Sequence, residues 1–242
     1  MINYMKCFEG DIMNIKELNV NDYYFHSIIH GAKKAFDVVY GVIDKKAILP
    51  PRQISNCSRI GCNSNDEVCL SSVTNFKGNT ENYRSCFDIY LPRLLTFVID
   101  KEFSVKHYVR KPPLLSTSAV FKMVEKGNNK YTNLYDEHRT KGSVPFKFIK
   151  GLSIPYNDII NNPMVYLTFI DEMSQVEFYN GYMFEQAINL YNKKFMETGM
   201  RKRIEFMEKY IYALEELISS ENIDLPIYFY EHDGNERKLV LK

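Results

Sequence analysis

The run Leu94-Leu95-Thr96-Phe97-Val98-Ile99 is the feature that most constrains how this chain can fold. Its residues are apolar, β-branched or aromatic without interruption, which fits a strand buried on both faces rather than one with a solvated side. The composition can supply the covering layers. Of the 242 residues, 45% are hydrophobic and 14% aromatic, enough for a real core and too many for a disordered chain.

Other elements arrange themselves around that run. Tyr23 to Ile29 is aromatic and apolar and reads as a first strand. Ala32, Ala35, Phe36, Val39, Val42 and Ile43 follow at helical spacing within Gly31–Asp44, and Pro50-Pro51 closes the unit. Glu67 to Val73 reads as a strand between polar loops at 53–66 and 74–84. Residues 104–116, with their prolines, read as a connector, and Ser118 to Lys126 as a short helix. Phe148 to Ile154 is a further strand. Beyond Pro163 the character changes: Val176 to Ser220 is mostly helix-forming, with Thr198-Gly199 separating two helices. Ile227–Tyr230 and Lys238–Leu241 flank a turn and predict a terminal β-hairpin. The expected fold class is α+β, a split, mostly antiparallel sheet with flanking helices and a helical C-terminal extension ending in the hairpin. The expected organisation is a lead-in at 1–22, a core at 23–165, and C-terminal helices and hairpin at 166–242 packed on that core.

Charge and cysteine content narrow the setting. The formal net charge of +1 gives no overall field toward nucleic acid or an anionic membrane. No run of about 18 apolar residues reads as a membrane span, and the opening residues MINYMKCFEGDIMN lack the apolar stretch of a signal peptide. Together with an odd count of five cysteines, this predicts a reduced, cytoplasmic setting.

Most familiar chemical motifs are missing. Cys57, Cys62, Cys69 and Cys86 are spaced too loosely for matched zinc pairs. His26 and His30 are four apart but lack the glutamate of a metalloprotease helix, and His26 falls in a strand. There is no nucleophile elbow, no Walker loop and no dinucleotide glycine motif. Lys193-Lys194 and Arg201-Lys202-Arg203 are basic, but Glu197, Glu205 and Glu208 interleave with them. This reads as a solvated helix face, with phosphate contact as its functional alternative. The segment Tyr131–Pro155 stands out instead. It sets Asp136-Glu137 before a short polar break and a compact apolar strand, and a carboxylate at such a strand entrance can do catalytic work.

In order and spacing, residues 23–155 resemble the ADP-ribosyltransferase-like fold. Tyr24-Phe25-His26, a helix and Ile48-Leu49-Pro50 resemble the opening of families that begin with a strand histidine. Asp66-Glu67-Val68-Cys69-Leu70-Ser71 resembles their second strand. Asp136-Glu137-His138-Arg139 and the following Val144–Gly151 resemble the catalytic-glutamate strand and its successor. The resemblance implies NAD, as substrate, lying in a cleft of the sheet. It implies that Glu137 stabilises an oxocarbenium-like transition state, and that His26 bonds a ribose hydroxyl. Ser71 and Arg52 join as expected cofactor-binding residues. The acceptor would be a protein or a nucleic acid. The pattern departs from the family in three ways: no residue is marked as the aromatic that stacks on nicotinamide, with Tyr83 and Tyr90 as candidates; Ser116-Thr117-Ser118, which resembles the Ser-Thr-Ser element of the arginine-directed branch, lies too near Glu137; and Glu137 is not followed by the second glutamate of an E-x-E pair. A different class of function is also compatible with the sequence: a non-catalytic interaction protein using the C-terminal helices, or a nucleic-acid-modifying enzyme using the basic helix face.

Overall fold

The computed structural model describes residues 17–28, 31–50, 53–54, 66–72, 95–103, 106–110, 135–170, 181–233 and 236–242. Within these the strands are β1 (Glu17–Asn19), β2 (Tyr23–Ser27), β3 (Ala47–Ile48), β4 (Glu67–Ser71), β5 (Thr96–Asp100), β6 (Lys106–Arg110), β7 (Tyr135–Lys141), β8 (Val144–Pro145), β9 (Ile149–Ile154), β10 (Ile227–Asp233) and β11 (Glu236–Leu241). The helices are α1 (Ala32–Lys45), α2 (Tyr156–Asn161), α3 (Pro163–Ile170) and α4 (Gly181–Ser220). The fold is α+β. A nine-stranded sheet runs β1-β11-β10-β9-β5-β2-β4-β7-β6, and β3 pairs with β8 in a small second sheet. Every neighbouring pair in the large sheet is antiparallel except β9 and β10.

The run that most constrained the fold is the centre of this sheet. β5 lies between β2 and β9, and Phe97, Val98 and Ile99 are fully buried. Its alternate residues serve different cores, as strand alternation demands. Phe97 and Ile99 join Tyr24, Val68, Leu70, Leu152 and the apolar sides of α1 to α4 in the main core. Val98 points the other way, into a cluster with Phe25, Tyr228, Tyr230 and Leu239. A strand buried on both faces needs an unbroken apolar sequence, which is what residues 94–99 provide.

α1 follows from its apolar spacing: Ala32, Ala35, Val39, Val42 and Ile43 form one buried stripe. The helix stops at Lys46, whose backbone turns left-handed (φ 51°) and donates its N–H to Ile43 O. The long α4 is broken at Gly199 (φ 70°, ψ 149°), where the Thr198-Gly199 separation was expected. The Tyr210 hydroxyl donates to Ala32 O at 3.1 Å, tying α4 to the start of α1. Burial pushes that phenol's pKa well above its ordinary value of 10.0.

Two expectations need correction. The connector at 104–116 contains β6, the edge strand of the sheet. Its Lys-His-Tyr-Val-Arg sequence is charged at both ends and holds a single aliphatic residue, so it gives no apolar signal, and its neighbouring prolines start only at position 112. Asp136-Glu137 lies inside strand β7, not ahead of a strand. Residues 156–170 form two helices that the sequence pattern did not separate from the core. Part of the lead-in, Glu17–Asn19, forms a strand paired with β11. The terminal hairpin extends the central sheet, with β10 running parallel to β9. The expected short helix at 118–126, the loop at 74–84 and residues 55–65 of the loop at 53–66 lie outside the described residues.

The junction of hairpin and sheet is tight. At Gly151 an added Cβ would sit 2.5 Å from Pro226 O and 2.5 Å from the Tyr228 ring. Leu152 N donates to the same Pro226 carbonyl at 2.9 Å. Glycine is required here by the close approach of backbone and ring.

Candidate functional site

The strands carrying His26, Ser71 and Glu137 are consecutive neighbours, in the order β2-β4-β7. Their register fixes which residues share a face. Phe25 pairs with Ser71, Ser71 with Glu137, and Glu137 with Tyr108 on the edge strand β6. Directly opposed residues of an antiparallel ladder lie on one face, so Phe25, Ser71, Glu137 and Tyr108 form a single transverse row. On the sheet's inner strands this is the face of the Phe25, Val98 and Tyr228 cluster.

His26 is not in that row. It is one residue beyond Phe25 and therefore on the opposite face. It pairs with Phe97, and its ring stacks on that of Phe97 at 6.5 Å between centroids, on the side of the main core. The register thus brings Ser71 and Glu137 together and sets His26 apart from both. The reason is the strict two-residue period of a strand, which puts any histidine next to Phe25 on the wrong side of the ladder. Arg52, His30, Cys57, Cys62, Cys86, Tyr83 and Tyr90 lie outside the described residues.

Ser71 is 6% exposed, and its hydroxyl donates to Phe25 O across the ladder at 3.4 Å. That bond is long for an O–H donor. The neighbouring row on the same face is also hydroxyl-bearing: Ser27 Oγ and Thr96 Oγ1 lie 3.1 Å apart. Around Glu137 the register adds further groups. Arg139 pairs with Lys106, Tyr135 with Arg110, and Lys141 with Glu67, all in phase with Glu137. The opposite face of β6 and β7 takes His107, Val109, Asp136, His138 and Thr140 instead. Tyr108 is a register partner of Glu137 that the sequence pattern missed. The signal that could have found it was the period-2 alternation of Lys106, Tyr108 and Arg110 in a segment read as a connector.

Two other features of the described structure bear on function. A groove of about 370 Å³ is lined by Leu18, Tyr23, Phe146, Lys147, Lys150 and Tyr228, among others. Burial raises the pKa of both tyrosines, and Asp100 and then Asp22 raise that of Tyr23 further. Neither His26 nor Ser71 lines this groove. The basic helix stretch is divided: Arg201 is exposed and pairs with Glu205 at 2.9 Å, whereas Arg203 is only 5% exposed. Its guanidinium donates to Ile160 O (2.8 Å) and Phe195 O (2.9 Å) and lies 3.6 Å from the centre of the Phe195 ring. Arg203 thus belongs to the helix packing and not to an exposed basic face.

Among the described residues no group of three His, Cys, Asp or Glu side chains converges to hold a metal ion, and no helix is long and apolar enough to cross a membrane. No protein-family model, curated protein or solved structure matches this chain.

Proposed function

We propose that the chain transfers ADP-ribose from NAD to a macromolecular acceptor, with Glu137 as the catalytic carboxylate. One observation carries this reading: Glu137 stands in direct register between Ser71 and Tyr108, on the strand next to the edge of a mostly antiparallel sheet. Cleavage of the nicotinamide glycosidic bond develops positive charge on the ribose, and a fixed carboxylate stabilises it. In this reading Ser71 exchanges its long bond to Phe25 O for one to a ribose hydroxyl. The aromatic that stacks on nicotinamide stays unassigned, with Tyr83 and Tyr90 as its candidates from the resemblance. His26, on the far face, keeps a packing role against Phe97 in this reading, and Arg52 remains an expectation from the resemblance alone.

NAD binding is tested by thermal shift on the full chain. Millimolar NAD raises the unfolding temperature by mass action if the cleft binds it. Nicotinamide release on incubation with NAD, detected by chromatography, tests the chemistry. No thermal shift and no nicotinamide would favour the non-catalytic interaction protein.

A further inference from the structure

The groove beside the start of β10 holds polar groups that the fold leaves unused. Tyr228 is only 2% exposed, yet it lines the groove, and among the described residues its hydroxyl has no hydrogen-bond partner. Tyr23 lines the same groove, and its hydroxyl is likewise without a partner among the described residues. A buried hydroxyl with nothing to bond costs free energy. Two of them at one groove point to a bound group that supplies the missing bonds.

A β-bulge builds the wall opposite. Val98 pairs with Gly151 but Ile99 with Ile149, so Lys150 is the extra residue of β9. Bulges re-aim side chains, and here Ile149 and Lys150 both line the groove although they are adjacent in the strand. Lys150 Nζ meets an Asp100 carboxylate oxygen at 3.1 Å, and Asp100 is the register partner of Tyr23.

The charges of the groove nearly cancel. Lys150 is neutralised by Asp100, and the other two charged lining residues, Lys147 and Asp224, are opposite in sign. An anion drawn to Lys147 would meet the Asp224 carboxylate. A cation drawn to Asp224 would meet two lysines. Leu18, Phe146 and Ile149 supply apolar wall. Donors and acceptors set among apolar surfaces, at little net charge, suit a neutral polyhydroxylated ring. Its hydroxyls both donate and accept, and its C–H faces pack on the wall. The volume of about 370 Å³ is near the small end of ligand sites, about 300–1,000 Å³, which favours a compact ligand.

We propose that this groove is a carbohydrate site that takes a neutral, monosaccharide-sized ring. Tyr23, Tyr228 and Asp224 bond its hydroxyls, and Leu18 and Phe146 cover its C–H faces. The proposal does not rest on ADP-ribosyl transfer by Glu137.

The test uses the full chain and saturation-transfer NMR with D-glucose, D-galactose, D-mannose, D-xylose and N-acetyl-D-glucosamine, each at millimolar concentration. At least one of these sugars receives saturation from the wild-type chain. Tyr228→Phe and Tyr23→Phe each weaken its binding by about 2- to 13-fold, the worth of one neutral hydrogen bond. Both variants melt like wild type by circular dichroism, because neither hydroxyl has a protein bond to lose. Tyr212→Phe, at an exposed position of α4 outside the groove, leaves binding unchanged. Methyl phosphate and ethylammonium serve as the charged alternatives. Three results overturn the proposal: no transfer to any of the sugars, transfer that both Tyr→Phe variants of the groove leave at the wild-type level, or methyl phosphate or ethylammonium binding there in place of every sugar.

Discussion

Replacing Arg203 separates the packing of this protein from its surface chemistry. In the sequence Arg203 belongs to a basic triplet that could touch phosphate. In the fold its guanidinium is buried between α2 and the two halves of α4. Ile160 lies in the last turn of α2, and Phe195 in the turn before the break at Gly199. Carbonyls at such helix ends have no intrahelical partner, and a side-chain donor can satisfy them. Arg203→Ala removes two charge-assisted hydrogen bonds and a ring contact at 3.6 Å. At about 1.5 kcal/mol for each bond and about 1–2 kcal/mol for the desolvated cation–ring contact, less what the removed charge no longer loses on burial, the cost is about 3–4 kcal/mol. For a chain of this length that lowers the melting temperature by about 6–16 °C. Arg203→Lys recovers less than half of this, because one ammonium cannot reproduce the fork. Circular dichroism melting reads the loss. A variant that melts within about 2 °C of wild type would refute the reasoning, because the arginine would then not be holding the helix ends.

Other substitutions probe the sheet and its titration. Gly151→Ala forces a Cβ against Pro226 O and the Tyr228 ring, and overpacking of this kind costs about 1–3 kcal/mol in urea unfolding. Gly41→Ala, in α1 with nothing within 4 Å of the new Cβ, raises stability by about 0.5–1 kcal/mol in the same assay. Tyr210 stays neutral in the folded chain at pH values where the unfolded phenol, near 10.0, has lost its proton. Its contribution is therefore full below about pH 10 and declines as pH rises beyond that value. Tyr210→Phe flattens the alkaline limb of a stability-against-pH curve, while losing about 1 kcal/mol at neutral pH with the bond to Ala32 O.

The apolar elements were legible in the sequence because burial writes itself into periodicity. Residues 94–99, the stripe of α1 and the terminal hairpin all declared their place, and Gly199 declared the break in α4. β6 was not legible, because an edge strand made of Lys, His, Tyr, Val and Arg carries no hydrophobic signal and becomes a strand only when β7 pairs with it. The site was legible in part. The sequence singled out Glu137 and Ser71, which the register sets opposite each other. It also tied His26 to Glu137 through order along the chain, but order says nothing about phase. The one-residue offset from Phe25 puts His26 on the other face. Tyr108 and Arg139 became visible only once register showed which residues flank Glu137. Arg203 misled for a related reason: a basic residue in a basic run gives no sign of the carbonyls it will meet inside.

The most direct test of catalysis by Glu137 uses its neighbour as the control. Asp136 and Glu137 are adjacent carboxylates on opposite faces of β7, so a comparison of Glu137→Gln with Asp136→Asn asks which face does the chemistry. The measurement is nicotinamide released from NAD by wild type and both variants, with folding checked by circular dichroism. ADP-ribosyl transfer through Glu137 predicts a loss of about 100- to 1,000-fold or more for Glu137→Gln and near-wild-type release for Asp136→Asn. Full release by Glu137→Gln, or loss confined to Asp136→Asn, would contradict it.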